Sequence, residues 1–287
     1  MRVPFLVLAP ACVFLGVGSA AWSSGSLNAL YVILALIGGV CSHISVNALN
    51  EYFDFKSGLD LHTQRTPFSG GSGTLPARPE LANTALVTGL VTLGITALIG
   101  IYFWVVRGWG ILPLGLLGLV VIVTYTVWLN RSPLLCLIAP GIGFGTLMVM
   151  ATDYVLSGRY SWTAFFASLV PFFLVSNLLL LNQFPDVEAD RRVGRRHLPI
   201  VIGRRASAVV YIAFLVCTYL TMIVGVALRL MPGWCLLGLA TLVIAVPVMR
   251  NVYRNADRLE LLIPSLGMNV LIVLLTPVLT GIGFLIG

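Results

Sequence analysis

Residues 161–196 read SWTAFFASLVPFFLVSNLLLLNQFPDVEADRRVGRR, a long apolar run that ends in a cluster of acids and arginines. The apolar part, 161–182, is long enough to cross a membrane as a helix, which takes about 20 residues. Ionised groups are costly next to hydrocarbon, so the carboxylates that follow, Asp186, Glu188 and Asp190, indicate a site at the end of this helix. The stretch therefore predicts both a membrane-spanning fold and the position of its functional groups.

The rest of the chain has the same apolar character. Of its 287 residues, 59% are hydrophobic and only 9% are charged, and the mean hydropathy is +1.01. Soluble domains are far more polar, so we predict an all-α polytopic membrane bundle in which residues 1–287 form a single domain. The apolar runs predict nine transmembrane helices, at residues 4–22, 28–50, 82–105, 111–128, 133–156, 161–182, 206–228, 232–249 and 260–285.

The basic residues predict which end of the bundle faces the cytoplasm, because short cytoplasmic loops hold the excess of Arg and Lys. With the N-terminus in the cytoplasm, fourteen of the seventeen basic residues fall on that side, and Arg107, Arg159 and Arg229 fall outside. Two acidic clusters, one after the second span and one after the sixth, then both lie on the cytoplasmic side. We therefore expect an integral protein of the inner (cytoplasmic) membrane with its active site on the cytoplasmic side.

Three further features of the sequence concern the first span, the cysteines and the net charge. The first span has a basic residue, an apolar stretch and small residues at 18–21, so a cleaved signal peptide is an alternative to a first helix. The five cysteines all lie in apolar spans and are expected to be buried free thiols. The net charge of +7 arises at helix ends without a basic, aromatic-rich domain, so we expect contacts with membrane lipids and no nucleic acid.

The acidic cluster after the second span lies on a predicted extension of that helix. Asn47, Asn50 and Asp54 are spaced i, i+3 and i+7, which places them on one stripe if the helix continues. We expect Gly58 to end the helix. Asp60 would then lie on the following loop, as a weaker candidate than Asp54.

The cluster after the sixth span repeats the arrangement. Asn182, Asp186 and Asp190 follow one another at i, i+4 steps and therefore share one face of a helix. Pro185 removes a backbone hydrogen-bond donor and is expected to kink or end the helix near that point. Glu188 lies off the stripe, and we expect it to pair with a neighbouring arginine.

Two stripes of oxygen-bearing side chains at one membrane face form a candidate metal site. Such ligands favour a hard cation that keeps water and takes further ligands from phosphate groups, and Mg²⁺ fits that description. The alternative is that these are interfacial charges paired with nearby arginines. The predicted metal ligands are Asn50, Asp54, Asp60, Asp186 and Asp190.

Glycine-rich and basic segments near the stripes predict an anion beside the metal. The loop from Leu61 to Pro79 contains glycines whose backbone N–H groups can bind phosphate oxygens, with Arg65 or Lys56 neutralising the charge. A plain flexible connector is the alternative for this loop. Between residues 191 and 205, six arginines lie beside three carboxylates, which suggests an anion and a metal together.

With these motifs the chain resembles the UbiA superfamily of intramembrane prenyltransferases, which are nine-helix proteins with one aspartate-rich motif after the second helix and another after the sixth. The first family motif is usually Asn-Asp-x-x-Asp-x-x-x-Asp, and Asn50-Glu51-x-x-Asp54 is similar to it, with Glu for the first Asp and the third acid displaced. The second, Asp186-x-x-x-Asp190-Arg-x-x-Gly-Arg-Arg, resembles the menaquinone-type branch, the 1,4-dihydroxy-2-naphthoate prenyltransferases. The resemblance covers nearly the whole chain.

The resemblance implies transfer of a polyprenyl group from a prenyl diphosphate to a lipophilic acceptor that is often aromatic. It implies that Asp54 and Asp186, helped by the other stripe residues, hold Mg²⁺ against the diphosphate while basic side chains neutralise the leaving group. Tyr125 falls where family members carry a Tyr that lines the site, and an interfacial aromatic is the alternative. The basic residues assigned to the diphosphate are Lys56, Arg65, Arg191, Arg195 and Arg196.

Some positions have two interpretations each. His43, one turn before the first stripe, either contacts the acceptor or is a satisfied intramembrane histidine. Gly141, Gly143 and Gly145 either allow close helix contact or leave a groove for the lipid chain. Residues 138–141 contain no acid where relatives have a Gly-Glu pair, so acceptor binding is expected to differ there.

Two other functions remain open from the sequence. A cation- or proton-coupled transporter also has intramembrane carboxylates, but here the acids cluster at one face and only Asp153 lies within a span. A related enzyme with a non-aromatic acceptor, or a terpene cyclase, would share the diphosphate site, because the motifs recognise only the diphosphate. The sequence does not indicate an oligomeric state.

Overall fold

The computed structural model describes residues 3–59, 72–125, 127–192 and 194–287, and this part of the chain is helical without strands. A helix satisfies its backbone N–H and C=O groups internally, which hydrocarbon requires of a spanning segment. The predicted fold class is confirmed. The α-helices are α1 (Leu8–Ser24), α2 (Ala29–Lys56), α3 (Thr74–Ala77), α4 (Ala82–Arg107), α5 (Leu112–Thr124), α6 (Pro133–Pro140), α7 (Met148–Ser157), α8 (Trp162–Arg192), α9 (Leu198–Val201), α10 (Gly203–Ala227), α11 (Leu242–Asn255) and α12 (Leu259–Ile286). Further helical segments are 3₁₀ turns at Val3–Val7, Pro79–Leu81, Trp109–Ile111, Leu129–Arg131 and Gly233–Thr241, and a π-helix at Gly141–Leu147.

The nine predicted spans correspond to nine apolar helical runs in the described residues. Eight of them are long and apolar enough to cross a membrane, and the ninth, Trp109–Thr124, is shorter. This short run corresponds to the fourth predicted span, 111–128, but its helix ends at Thr124. Residues 125, 127 and 128 are turns, and a 3₁₀ segment follows at Leu129–Arg131. In contrast, α2 and α8 continue beyond their predicted ends to Lys56 and Arg192. These extensions carry the acidic clusters.

The first helix is an integral part of the bundle. α1 packs against α7, α8 and α12. The side chains of Ala9, Cys12 and Leu15 in this helix have no exposed surface. This burial favours a retained first helix over a cleaved segment. The five cysteines are free thiols, but the prediction that all are buried holds for Cys12, Cys136 and Cys235 and not for Cys41 and Cys217, which are partly exposed.

α8 is held in place by a core that it shares with α10, α11 and α12. Leu174, Leu181 and Phe184 of α8 are fully buried there. A polar contact fixes the same packing: the Asn177 Nδ2 donates to the backbone carbonyl of Tyr211 at 2.8 Å. The helix that carries the second acidic cluster is therefore anchored along most of its length.

The three glycines of the π-helix do not share one role. Two of them allow close helix contact, and the third leaves open space, the two alternatives given for them from the sequence. A Cβ at Gly141 would lie 2.3 Å from the Phe172 carbonyl oxygen, and one at Gly145 would lie 2.4 Å from the Phe172 backbone nitrogen. Both glycines therefore allow the π-helix to touch the backbone of α8. Gly143 has no such neighbour, since a Cβ there would meet only Val121 at 3.8 Å.

Polar contacts connect α1, α4 and α7 at the end of the bundle where α8 begins. This end is opposite the one that carries the acidic clusters. The Arg107 Nε donates to the carbonyl of Val155 at 2.7 Å at the C-terminus of α7. Asp153, the isolated acid of the fifth span, is 1% exposed and accepts a hydrogen bond from the Ser19 hydroxyl at 2.7 Å. The Arg159 guanidinium donates to the carbonyl of Ser23 at 3.0 Å. Two of the three arginines predicted to lie outside thus lie at the end opposite the acidic clusters.

Candidate active site

The first acidic stripe forms because α2 remains helical beyond its apolar segment. The helix passes through Asn50 and Asp54, and Gly58 follows it with φ of 78°, the left-handed conformation that favours glycine after a helix end. The Asn50 Nδ2 donates to the Asp54 Oδ2 at 2.9 Å. Asp54 is 8% exposed. The predicted helix end and shared face are therefore present.

The second stripe lies on the C-terminal part of α8. The helix runs through Pro185 to Arg192, so the proline does not end it. Asp186 and Asp190 consequently lie on a regular helical surface. Glu188 is exposed and pairs with Arg191 at 3.5 Å, as predicted from its position off the stripe.

Arg195 brings the two acidic clusters together. Its Nη1 lies 3.2 Å from the Asp190 Oδ1, and its Nη2 contacts the Asp54 Oδ1. Burial disfavours the charged guanidinium, but the two carboxylates hold the pKa of Arg195 above its usual value. A fixed positive charge therefore links the ends of α2 and α8.

His197 is a site residue that the sequence did not indicate. It is 1% exposed, and its Nε2 lies 2.9 Å from the Asp190 Oδ2. Both carboxylate oxygens of Asp190 therefore have partners, Arg195 on one and His197 on the other. In the sequence, the one sign of its role is its position directly after Arg195 and Arg196. A single histidine in a loop does not indicate which residue it contacts.

A cavity of about 480 Å³ extends from these groups into the bundle. Asn182 and Asp186 from α8 face it together with the Asp54–Arg195–Asp190 group. Its other walls are mostly apolar and come mainly from α2, α4, α5 and the segment from α6 to α7. Representative apolar lining residues are Leu34, Ile99, Phe103, Leu114, Val121 and Leu147. The cavity thus has one polar, charged end and a long apolar part.

Tyr125 lies at the polar end of this cavity. It follows directly after α5 and lines the cavity with Cys136. Tyr125 is therefore a wall residue of the cavity that also contains the charged groups.

His43 lines the cavity from the second helix. Its ring is 4% exposed and packs edge-on against Phe144 with 4.5 Å between ring centroids. The backbone of Leu6 is a hydrogen-bonding partner of the ring, while the Nδ1 has no partner among the described residues. The imidazole therefore has one nitrogen held by the protein and one that a ligand can use.

Most of the predicted diphosphate ligands lie away from the cavity in the described part of the chain. Lys56 is exposed and stands over the Tyr52 ring at 5.7 Å from its centroid. Arg191 and Arg196 are exposed, and neither lines the cavity. Arg195 is the predicted arginine that lines it. Asp60 and Arg65 lie outside the described residues.

The donor atoms at the polar end suit a hard cation that takes part of its shell from a ligand. Among the described residues, no three His, Cys, Asp or Glu side chains lie close enough together to hold a metal alone. The cavity end nevertheless offers carboxylates from Asp54 and Asp186 and amides from Asn50 and Asn182. The Asn182 Oδ1 is buried without a hydrogen-bond partner there. An all-oxygen set of this kind fits Mg²⁺ completed by water and phosphate oxygens.

Comparisons with known proteins show the family of this chain. The sequence profile of the UbiA prenyltransferase family matches residues 9–263. The 1,4-dihydroxy-2-naphthoate octaprenyltransferase of Bacillus subtilis is 28% identical over 184 residues, which cover 62% of this chain and 56% of that protein. The enzyme of the same name from Escherichia coli is 28% identical over 272 residues, 90% of this chain and 84% of that protein.

Solved structures share the fold. A UbiA homolog from Aeropyrum pernix, solved in the apo form, superposes with a TM-score of 0.75 at 17% identity and covers 100% of this chain and 98% of its own. A UbiA homolog from Archaeoglobus fulgidus, solved with DMAPP and Mg²⁺ bound, has a TM-score of 0.59 at 13% identity, with 96% of each chain covered. At these identities the structural likeness shows a shared fold and nothing further.

Proposed function

This chain belongs to the UbiA prenyltransferase family, and on that basis we propose that it transfers a polyprenyl group from a prenyl diphosphate to a lipid-soluble aromatic acceptor with the help of Mg²⁺. The observation that carries the proposal is the two-part cavity. Its polar end presents carboxylates and Arg195, and its apolar part accommodates a hydrocarbon chain. A molecule with a charged diphosphate head and an isoprenoid tail matches both parts.

The polar end would bind the diphosphate. Asp54 and Asp186 would hold Mg²⁺ with Asn50 and Asn182 as neighbouring oxygen donors, and the bound cation would offset negative charge on the diphosphate. The family relative solved with DMAPP and Mg²⁺ supports this assignment. Arg195 is a permanent cation at the same cavity end and can donate to the departing oxygens.

The reaction that follows requires a dry, apolar site. When the bond between C1 and the diphosphate oxygen breaks, its electron pair leaves with the diphosphate, and an allylic cation remains in the cavity. The ring of Tyr125 can stabilise that cation, since an aromatic face attracts positive charge. The apolar walls keep water from C1 until a carbon of the electron-rich acceptor ring attacks it. The new bond uses an electron pair of the ring, and the attacked carbon then loses its proton, or its carboxylate as CO₂, which restores the aromatic ring.

The acceptor we propose is a dihydroxynaphthoate-type ring. The relatives named 1,4-dihydroxy-2-naphthoate octaprenyltransferases and the match of the second motif to that branch support it. His43 lines the cavity, and its Nδ1 can accept a hydrogen bond from a ring hydroxyl. We place the site on the cytoplasmic side of the inner membrane because of the arginine distribution.

An acceptor panel tests this proposal. Purified protein in lipid nanodiscs would be given labelled prenyl diphosphates with 1,4-dihydroxy-2-naphthoate, a glycerol phosphate acceptor, or no acceptor. We expect a prenylated product only with the naphthoate and only with Mg²⁺, because the carboxylates need the cation to bind the diphosphate. EDTA is the matched control. Diphosphate release without acceptor consumption would instead indicate a cyclase or a hydrolase.

A further inference from the structure

His43 is a buried, ionisable side chain on the cavity wall, away from the charged groups of the polar end. It lies on α2 and is 4% exposed. It shares one helical stripe with Asn47, Asn50 and Asp54, since the four follow one another at steps of four, three and four residues. At 1.5 Å of rise per residue, His43 lies about 10 Å deeper in the bundle than Asn50. The imidazole is therefore too far from the acids to bind a cation that they hold.

The ring of His43 is held in place by two neighbours. It packs edge-on against Phe144, with 4.5 Å between the ring centroids. The backbone of Leu6, in the 3₁₀ turn before α1, is its hydrogen-bonding partner. Leu6 stands four residues before Pro10, which has no N–H to donate to the Leu6 carbonyl as a residue in an α-helix would. That carbonyl therefore lacks its usual helical donor and can accept a hydrogen bond from the imidazole.

The contact with Leu6 determines which ring nitrogen of His43 carries the proton. The Nδ1 is buried and has no hydrogen-bond partner among the described residues, so the Nε2 makes the contact with the carbonyl. A nitrogen that donates to a carbonyl carries a hydrogen, and the other nitrogen of a neutral imidazole then has a lone pair. The Nδ1 is thus a proton acceptor on the wall of the cavity.

An electron-rich acceptor ring can use a group of this kind. When a ring carbon attacks C1 of the donor, a hydroxyl on the neighbouring carbon assists most if it loses its proton, because its oxygen then supplies electrons to the ring. Water would be the usual proton acceptor, but the mostly apolar cavity excludes it. A base fixed on the cavity wall can replace water, and general bases contribute about 10²–10⁴-fold to reaction rates.

Resting on the proposed function, we propose that His43 is the catalytic base that accepts the hydroxyl proton of the aromatic acceptor. As the Nδ1 takes the proton, the electron pair of the O–H bond forms a carbonyl, and a ring electron pair forms the bond to C1 of the allylic cation. The attacked carbon then loses its proton to the diphosphate, or its carboxylate as CO₂, and the electrons of that bond stay in the ring. The carbonyl oxygen takes a proton back from the imidazolium, which leaves His43 neutral again.

Substitution of the histidine tests this role. Purified protein in lipid nanodiscs would be given a prenyl diphosphate, Mg²⁺ and 1,4-dihydroxy-2-naphthoate, and the rate of prenylated product would be measured. We expect His43→Gln and His43→Ala to lower kcat by roughly 100-fold or more, the scale of general-base catalysis. Glutamine can still accept a hydrogen bond but cannot take the proton. The KM for the donor should stay unchanged, because the histidine does not contact the diphosphate.

Chemical rescue distinguishes a base from a residue that only packs. Added imidazole can enter the space that His43→Ala leaves beside the cavity, so it should raise the rate of this variant by roughly 10-fold or more. It should not change the rate of the wild type or of Asp54→Asn, whose defect lies at the cation. A fluorinated dihydroxynaphthoate has more acidic hydroxyls and depends less on a base, so both His43 variants should lose less activity with it.

Cys41→Ala is the control on the same helix. Cys41 lies two residues before His43 and is not among the described residues that line the cavity, so this variant should keep the wild-type rate. Thermal unfolding verifies that each variant is folded, and His43→Ala serves if His43→Gln is not. Full activity of a folded His43 variant would overturn the assignment. Equal losses with the ordinary and the fluorinated acceptor, without rescue by imidazole, would also overturn it.

The wild-type protein distinguishes failure of this role from failure of the proposed function. If the wild type makes no prenylated naphthoate, the proposed function itself is wrong, and the role of His43 falls with it. If the wild type makes the product and the His43 variants make it equally fast, the proposed function stands and only the catalytic base is wrong.

Discussion

At the scale of single residues, the acids of the site differ in what they contact. Asp54, Asp186 and Asp190 line the cavity, Asp54 from α2 and the other two from α8. Glu188 is exposed and pairs with Arg191. The carboxylates of Asp54 and Asp186 can bind a cation that the diphosphate also binds. The carboxylate of Glu188 faces solvent and lipid headgroups. Their contributions to the reaction should therefore be unequal.

Neutralising Asp54 or Asp186 tests this inequality. Asp54→Asn and Asp186→Asn keep the size of the side chain but remove its charge, so we expect Mg²⁺-dependent diphosphate release to fall by roughly 100-fold or more. Glu188→Gln on the same helix as Asp186 is the matched control and should retain nearly full activity. The measurement is release of labelled diphosphate in nanodiscs. Full activity of either aspartate variant would refute the metal assignment.

At the scale of secondary-structure elements, the close contact between the π-helix and α8 shapes the cavity. Gly141 and Gly145 touch the backbone of Phe172, so the two segments meet with no side chain between them. Gly143, on the same segment, lines the cavity instead. A π-helix places successive residues at spacings different from those of an α-helix, and such segments occur often at functional sites. The three glycines thus have separate structural consequences.

Alanine substitutions distinguish these roles. In Gly141→Ala the new Cβ would lie 2.3 Å from both the Phe172 carbonyl and the Ser176 Oγ. Overpacking of this kind costs about 1–3 kcal/mol, more than the gain of about 1 kcal/mol from Gly to Ala in a helix. We expect a lower thermal midpoint in detergent. Gly143→Ala, whose Cβ fits, should unfold at or above the wild-type temperature. Equal midpoints would contradict the close contact.

At the scale of the whole molecule, the sequence predicted the helices better than the contacts between them. Length and hydropathy are properties of one segment, so nine helices and the shared face of Asn50 and Asp54 could be predicted. The short α5 could not, because no glycine or proline stands between residues 119 and 132 to mark where the helix ends. The Arg195–Asp54 contact and the burial of His197 depend on how α2 and α8 pack, which no spacing within one segment specifies.

The orientation of the bundle is the whole-molecule property with the largest functional consequence, because a charged diphosphate does not cross a bilayer unaided. The donor must therefore come from the side on which the polar end of the cavity opens. Arg204 donates to the Phe184 carbonyl and Arg205 pairs with Asp257, so Asp257 lies at the end of the acidic clusters. Trp109, which is 74% exposed, follows Arg107 at the opposite end.

Cysteine labelling tests which end faces the cytoplasm. In a variant with its five native cysteines replaced, Asp257→Cys and Trp109→Cys would be treated with a membrane-impermeant maleimide in intact cells. Since fourteen of the seventeen basic residues lie at or near the acidic end by sequence and short basic loops stay in the cytoplasm, we expect Trp109→Cys to react at once and Asp257→Cys only after permeabilisation. The reverse pattern would place the diphosphate site outside and require an external source of the prenyl donor.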